Sequence, residues 1–292
     1  MRYLVHTASL CCLLALSHLP LSYAQGPHSP ITSSGLNTAI SDPINLPNNS
    51  TQYNITGGTR PGGGTNLFHS FGDFSVPSNN IGNFLNDSGL DTSNILGRVT
   101  LGDPSVIYGT IQTNGTGGFG NANLFLMNPA GFLFGPSATL HVGGMVAFTT
   151  ADYLRFQSTE TSFNSASTPD SLSPLSIVPV AAFGFLGSNP AAIALQGSTL
   201  TVAPGQSISL VSGNGGFDYT DPDTGLTAPA SVPDGITMTG GKLSASGGQI
   251  NLASVASPGE MLLAGLQSVP NLNGQSFTTM GNITLSQGAT LD

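Results

Sequence analysis

The chain has 292 residues and carries 5 Lys plus Arg against 14 Asp plus Glu, a formal net charge of −9. Charged residues make up 7% of it, against roughly 25% in an ordinary globular domain. So few Lys, Glu and Arg cannot clothe the outer faces of helices, and five scattered cations cannot assemble a phosphate-binding surface. A mainly helical fold and a nucleic-acid partner are both excluded.

Residues 1–24 read as a removable export signal. Arg2 supplies a positive start, Leu4 to Leu16 is mostly apolar, and Ser22-Tyr23-Ala24 offers the small residues a signal peptidase reads, which places the cut after Ala24. The apolar run is shorter than the about 20 residues that span a bilayer. Cys11 and Cys12 fall inside it, so the exported chain has no cysteine. Thiolate catalysis and cysteine-ligated zinc are excluded, and core and strand ladders alone must hold the fold. Freedom from cysteine also suits a chain that stays unfolded in an oxidising compartment before crossing a second membrane.

Residues 25–65 are a polar, turn-rich lead-in that ends in Gly62-Gly63-Gly64 and is expected to cap the fold. Strand-like pieces follow at Asn66-Leu67-Phe68 and Phe74-Ser75-Val76. Between Ile95 and Phe148 short apolar runs alternate with Gly, Asn or Pro: Val106–Tyr108, Leu124–Met127, Phe132–Phe134, Leu140–Val142 and Met145–Phe148. Runs of this length between breakers are strands, several of them buried on both sides. Residues 66–155 form the expected core unit and 156–292 its continuation. Loop excursions are expected at 157–176 and at 215–234. The second holds Asp218, Asp221, Asp223 and Asp234, but lacks the ligand spacing and closing glutamate of a calcium loop.

A repeat appears in the second half. Gly205-Gln-Ser-Ile208-Ser-Leu210 returns as Gly248-Gln-Ile250-Asn-Leu252 and as Gly281-Asn-Ile283-Thr-Leu285, with Leu200 and Leu243 at matching places before the first two. Such a strand sends two apolar side chains inward and a polar one outward. Stacked coils bury the apolar row. A coil of roughly 20 residues is usual for strand solenoids, so the step of 42 from Ile208 to Ile250 is expected to be two coils. The pattern favours an all-β fold, a parallel β-helix, over a sandwich.

One ordered succession is far more specific: Asn66-Leu-Phe-His-Ser-Phe-Gly-Asp-Phe74, Asn94-Ile-Leu-Gly-Arg98-Val-Thr, Pro104-Ser-Val-Ile-Tyr-Gly109-Thr-Ile111, Asn123-Leu-Phe-Leu-Met-Asn128-Pro-Ala-Gly131-Phe-Leu-Phe-Gly135, Ala138-Thr-Leu-His-Val-Gly143-Gly144 and Thr149-Thr-Ala-Asp152-Tyr153. It resembles the amino-terminal domain of filamentous haemagglutinins, the TPS domain that opens two-partner-secretion exoproteins. The resemblance implies a right-handed β-helix with a capped amino end and short extra-helical hairpins or loops. It also implies a partner, an outer-membrane β-barrel transporter whose periplasmic domains recognise the chain and export it to the cell surface or medium. The residues it singles out are Asn66, Leu67, Phe68, His69, Phe71 and Phe74 for the cap, and Asn128, Pro129, Ala130 and Gly131 for a turn. The family usually has Asn-Pro-Asn-Gly at that turn. Ala130 departs from it, yet Asn first, Pro second and Gly fourth still make a type I turn.

No catalytic constellation or cofactor site emerges. His28 lies in the lead-in, and His141 alternates with Leu140 and Val142 and so faces outward. His69, inside the motif, is expected to serve structure or recognition. Asp73, Asp103 and Asp152 are isolated acids beside turns, and no nucleophile elbow is present. The Asn-x-Ser/Thr triplets at Asn48, Asn49, Asn54, Asn86, Asn114 and Asn282 are polar turn residues in the bacterial setting the resemblance implies.

Two functions are therefore compared: a secretion and adhesion module, directed at a host-cell or polysaccharide surface, and a secreted polysaccharide lyase or hydrolase on the same solenoid. Recognition in the first is expected to use exposed strand edges of the early coils, by strand addition. The second needs acids gathered around a cation, so the positions of Arg98, Arg155 and Lys242 discriminate. The apolar end at Leu291-Asp292 lacks a polar cap, and the expectation is the front part of a longer exoprotein or a truncated reading frame.

Overall fold

The computed structural model describes residues 30–157, 162–166, 175–187, 190–226, 231–264, 271–274 and 276–292. The expected export signal, with Cys11 and Cys12, and His28 lie outside the described residues. So do parts of the two expected excursions.

The described chain is a β-helix. Each coil places one strand on each of three faces. Asn94–Val99, Ser105–Ile107 and Thr110–Gln112 make one such turn, and Asn123–Met127, Phe132–Phe134 and Thr139–His141 make the next, stacked on it in parallel. The long face contains Asn66–Phe74, Asn94–Val99, Asn123–Met127, Val146–Thr149, Ile208–Ser212 and Ile250–Ser254 side by side. The second face is Ser105–Ile107, Phe132–Phe134, Ile193–Gln196, Ile236–Thr239 and Ile283–Ser286.

Register builds the core. Leu67, Ile95, Leu124, Val146, Ile208 and Ile250 are neighbours down the inner side of the long face. They meet Phe132, Phe134, Ile193, Leu195 and Met238 from the second face in one interior cluster. A plain coil is short: Leu124 sits beside Val146, 22 residues on. The step from Ile208 to Ile250, expected to be two coils, is one, because those residues are direct neighbours. Residues 213–235, between two faces, supply the extra length. Leu200 and Leu243, at matching places in the repeat, are likewise direct partners on adjacent coils. The third copy behaves differently. Ile283–Ser286 lies on the second face beside Ile236–Thr239, because an in-out-in strand has the same spelling on any wall.

The outer side of the long face also departs from expectation. Its column is Phe68, Leu96, Phe125 and Ala147 before it turns polar at Ser209 and Asn251. All of it is buried, because five antiparallel strands lie across it: Ser162–Asn164, Tyr153–Phe156, Val180–Phe185, Gly259–Ala264 and Asn271–Asn273. Leu154, Phe156, Phe163, Phe183 and Met261 of this outer sheet close a second apolar cluster against the long face. What the sequence offered as short extra-helical hairpins or loops is a five-stranded sheet with its own core.

The amino end is closed. Ile31–Gly35 pairs antiparallel with Asn66–Phe74, and Thr38–Ile40 with Thr51–Gly57. The expected open edges of the early coils are therefore occupied. Main-chain donors and acceptors left bare there would template pairing with other chains, which such covers prevent.

One seam interrupts the third face. Thr139–His141 ends a six-stranded sheet, and the next coil's Thr199–Thr201 starts a separate one, leaving a groove of about 520 Å³ between them. Lys242 N–H donates to Ser198 O and Val202 N–H to Ser244 O, so by alternation the N–H groups of Thr199 and Thr201 point into the seam. In native-state hydrogen exchange these two amides should exchange at least tenfold faster than that of Ile208, which donates to Gln249 O at 3.0 Å. Equal protection would mean that the coils zip shut here in solution.

Candidate functional site

The first motif is a strand covered on both sides. From Asn66 to Phe74 only Asp73 escapes full burial. Phe68 points outward and meets Phe156 and Phe163 of the outer sheet edge-on, at 5.8 and 5.1 Å between ring centres. Phe71 and Phe74 point inward and, with Phe84, form an aromatic cluster at 4.9 to 6.2 Å. Leu67 lies in the same interior cluster.

His69 sits among these rings, fully buried, stacked on Phe71 at 5.9 Å. Its Nδ1 lies 3.2 Å from Thr38 Oγ1 in the cap, while Nε2 has no hydrogen-bond partner. Burial, aided by the positive charge of Arg60, pushes its pKa down to about 3. The imidazole is therefore neutral. It is packed against the cap and reaches no surface.

Asn66 heads a ladder that the sequence reading did not single out. Asn123 Nδ2 donates to Asn94 Oδ1 at 2.9 Å, and Asn94 Nδ2 to Asn66 Oδ1 at 2.8 Å. Asn66 Nδ2 donates onward to the carbonyls of Ser176 and Val178, just before the outer-sheet strand Val180–Phe185. Its signal is legible in retrospect: Asn precedes an apolar strand at 66, 94 and 123. Arg98 is a second case, in a setting that the sequence did not reveal. It is 1% exposed, its Nε donates to Ser70 Oγ at 2.9 Å and Nη1 to Asn164 O at 2.7 Å, and its guanidinium lies over Phe163. No carboxylate pairs with it among the described residues, Nη2 is unsatisfied, and burial lowers its pKa. A lone cation under the outer sheet leaves no trace in a periodicity count.

The second motif is a corner between the long and second faces. Gly131 N–H donates to Asn128 O at 3.1 Å, closing the turn, and Ala130 N–H donates to Asn128 Oδ1 at 3.0 Å. Asn128 Nδ2 donates to Asp103 O and Ser105 Oγ in the previous coil. The first asparagine thus ties two coils together. Pro129 and Ala130 are half-buried, so Ala130 replaces a side chain at the rim of the corner. The two motifs do not form a single patch: one lines the first coil's interior, the other a corner of a later coil.

A family model for the TPS secretion domain matches residues 30–292. The chain belongs to the TPS secretion domain family. No curated protein matches the sequence.

Within this TPS domain the remaining flagged residues are scattered. Arg98 lies under the outer sheet. Arg155 pairs with Glu260 at 2.8 Å on that sheet's other side, where Tyr153 also donates to Glu260. Lys242 pairs with Asp292 on the third face. Hydrogen bonds from Arg155 hold Glu260 below its ordinary pKa, and burial first, then Glu260, pushes Tyr153 up to about 12. His141 is exposed beside Gln112. Asp73 accepts from Thr32, Asp152 from Leu186 N–H, Asp221 from the amides of Asp223 and Thr224, and Asp234 from Gly216 N–H.

The native pKa of His69, about 3 against 6.5 unfolded, means that below pH 6.5 the unfolded chain takes up a proton the native one refuses. Stability should fall from pH 6.5 toward 3, by about 3 kcal/mol at pH 4 from this residue alone. Urea unfolding across pH 4–7 should show a shallower slope in His69→Gln; an identical slope would refute the assignment. Gly131 has φ +118°, and a Cβ there would strike the ring of Phe217. Gly131→Ala should therefore lose more than about 1 kcal/mol in the same assay, at unchanged m-value.

Proposed function

We propose that this TPS domain directs the export of a two-partner-secretion exoprotein, an adhesin of the haemagglutinin kind, and that its partner transporter reads Asn66–Phe74 and Asn128–Gly131 on the unfolded chain. One observation carries the second half of the proposal. In the folded state every side chain from Asn66 to Phe71 is sealed between the interior and the outer sheet, and the first coil's edge is occupied by Ile31–Gly35. A periplasmic receptor has access to these residues only before the β-helix closes. In an extended chain the same segment offers alternating side chains and free main-chain groups, which suits strand addition. Folding outside the cell then removes the recognised segment from reach.

The lyase or hydrolase reading has no comparable support. Arg98, Arg155 and Lys242 lie in three separate places, and among the described residues a single acid, Glu260 or Asp292, pairs with each of the latter two. No group of three or more His, Asp or Glu gathers as a metal site among the described residues.

The test combines export with binding. Residues 1–292, expressed in a Gram-negative host, should reach the medium only when the outer-membrane transporter encoded beside the gene is present. Export should be lost on deleting Asn66–Phe74. Purified periplasmic domains of that transporter should bind the chain in urea at a concentration that keeps it unfolded, and bind the refolded chain at least tenfold more weakly. Periplasmic retention in both strains, or equal binding of folded chain, would overturn the proposal.

A further inference from the structure

The outer column of the second face changes chemistry partway along. It runs Val106, Leu133, Ala194, Thr237, Thr284 in unbroken register. The first three are apolar and roofed: Phe217, Tyr219 and Val232 of the excursion between the long and second faces pack on them. The roof ends at Pro233 and Asp234, and where it ends the column becomes threonine. The next outward column adds Thr239 and Ser286. These four hydroxyls floor a trough of about 610 Å³, walled by Pro233 and closed at one end by Asp234 and Asn282.

The floor keeps its hydrogen-bonding capacity free. Thr237 is nine-tenths buried, yet its hydroxyl has no partner among the described residues and lines the trough, and the other three hydroxyls are likewise unpaired. On the third face, by contrast, the stacked Thr110 and Thr139 bond each other at 2.8 Å. The lining is charge-free except for Asp234, whose Oδ1 already accepts from Gly216 N–H.

We propose that this trough binds a neutral, hydroxyl-rich glycan segment. The chemistry of the lining selects the class. No cation lines it, and Asp234 adds a negative charge to an already acidic protein, so phosphate, sulfate and uronate ligands are repelled. No aromatic or large aliphatic side chain lines it, so an apolar ligand gains little. What remains is a grid of hydroxyls spaced about 4.8 Å across the strands and about 6.8 Å along them, each able to donate and accept. β-Branched threonines are stiff at χ1, so the grid is held in place before a ligand arrives. Their methyl groups offer small apolar patches to the C–H faces of sugar rings. The trough is open at its rim, as a site for an internal stretch of a chain must be. The proposal is independent of the export reading, since the grid lies far along the coils from the cap.

Affinity electrophoresis of the full chain tests it, in native gels cast with dextran, galactomannan or hydroxyethylcellulose, and with polygalacturonate as the charged comparator. At least one neutral polymer should retard the protein, and polygalacturonate should not. The near-isosteric double variant Thr237→Val/Thr284→Val should weaken apparent affinity at least tenfold while keeping its unfolding midpoint and its transporter-dependent export. Asn282→Ala, at the trough's end, should weaken it as well, which keeps the test decisive if the double variant folds poorly. Migration unchanged by all three neutral polymers, retardation that both variants retain, or retardation by polygalacturonate alone would overturn the proposal.

Discussion

Parallel stacking in register on the long face sets the position of every later coil. Leu67, Ile95, Leu124, Val146, Ile208 and Ile250 occupy one row because each strand's ladder to the last admits no one-residue slip: a slip would turn every inward side chain outward. Here a slip costs twice over, since the outward row of Phe68, Leu96 and Phe125 is buried as well. The polar groups reinforce the same register. Asn66, Asn94 and Asn123 bond one another only when their strands are aligned, and each such bond contributes on the order of 1 kcal/mol.

That constraint explains where the chain departs from the solenoid. All the long insertions, 150–192, 213–235 and 255–282, leave after a long-face strand and return at the second face. Two of them build the outer sheet that covers the long face, and the third roofs part of the second face. The coil itself stays intact because both ends of each insertion are pinned by strand ladders to neighbouring coils. Arg98 and Asn66 are the points at which solenoid and outer sheet are tied by hydrogen bonds, to Asn164 and to Ser176 and Val178. The buried guanidinium without a carboxylate is tolerable because Ser70, a main-chain carbonyl and the face of Phe163 together replace much of its lost water.

The strand runs between Val106 and Phe148 and the likeness of the strands at Ile208 and Ile250 were legible in the sequence because hydrophobic alternation is a local property. The coil length was not, because an insertion between two walls is invisible to a repeat count. Nor was the wall on which Ile283-Thr-Leu285 sits, since inward-outward-inward is the same spelling on every face. The outer sheet escaped for a related reason. Its strands are interleaved with Ser- and Thr-rich stretches, and their partners, such as Phe183 and Met261, lie far apart in sequence. At the site, Asn66–Phe74 was singled out by resemblance alone, whereas its burial depends on two covers, the cap and the outer sheet, that no local pattern reveals.

The burial of the motif joins fold and proposed function. Residues suited to a core are apolar, β-prone and alternating, and those same traits make an extended segment a good strand for a receptor to add to its own sheet. A chain that must be recognised once and then released can use a single segment for both tasks, provided the two states exclude each other. Here the exclusion is physical: Phe68 cannot lie against Phe156 and Phe163, and His69 against the cap, while the strand is paired elsewhere. Under the proposed export route, the free energy of closing the core opposes rebinding, which couples release from the transporter to completion of the first coil.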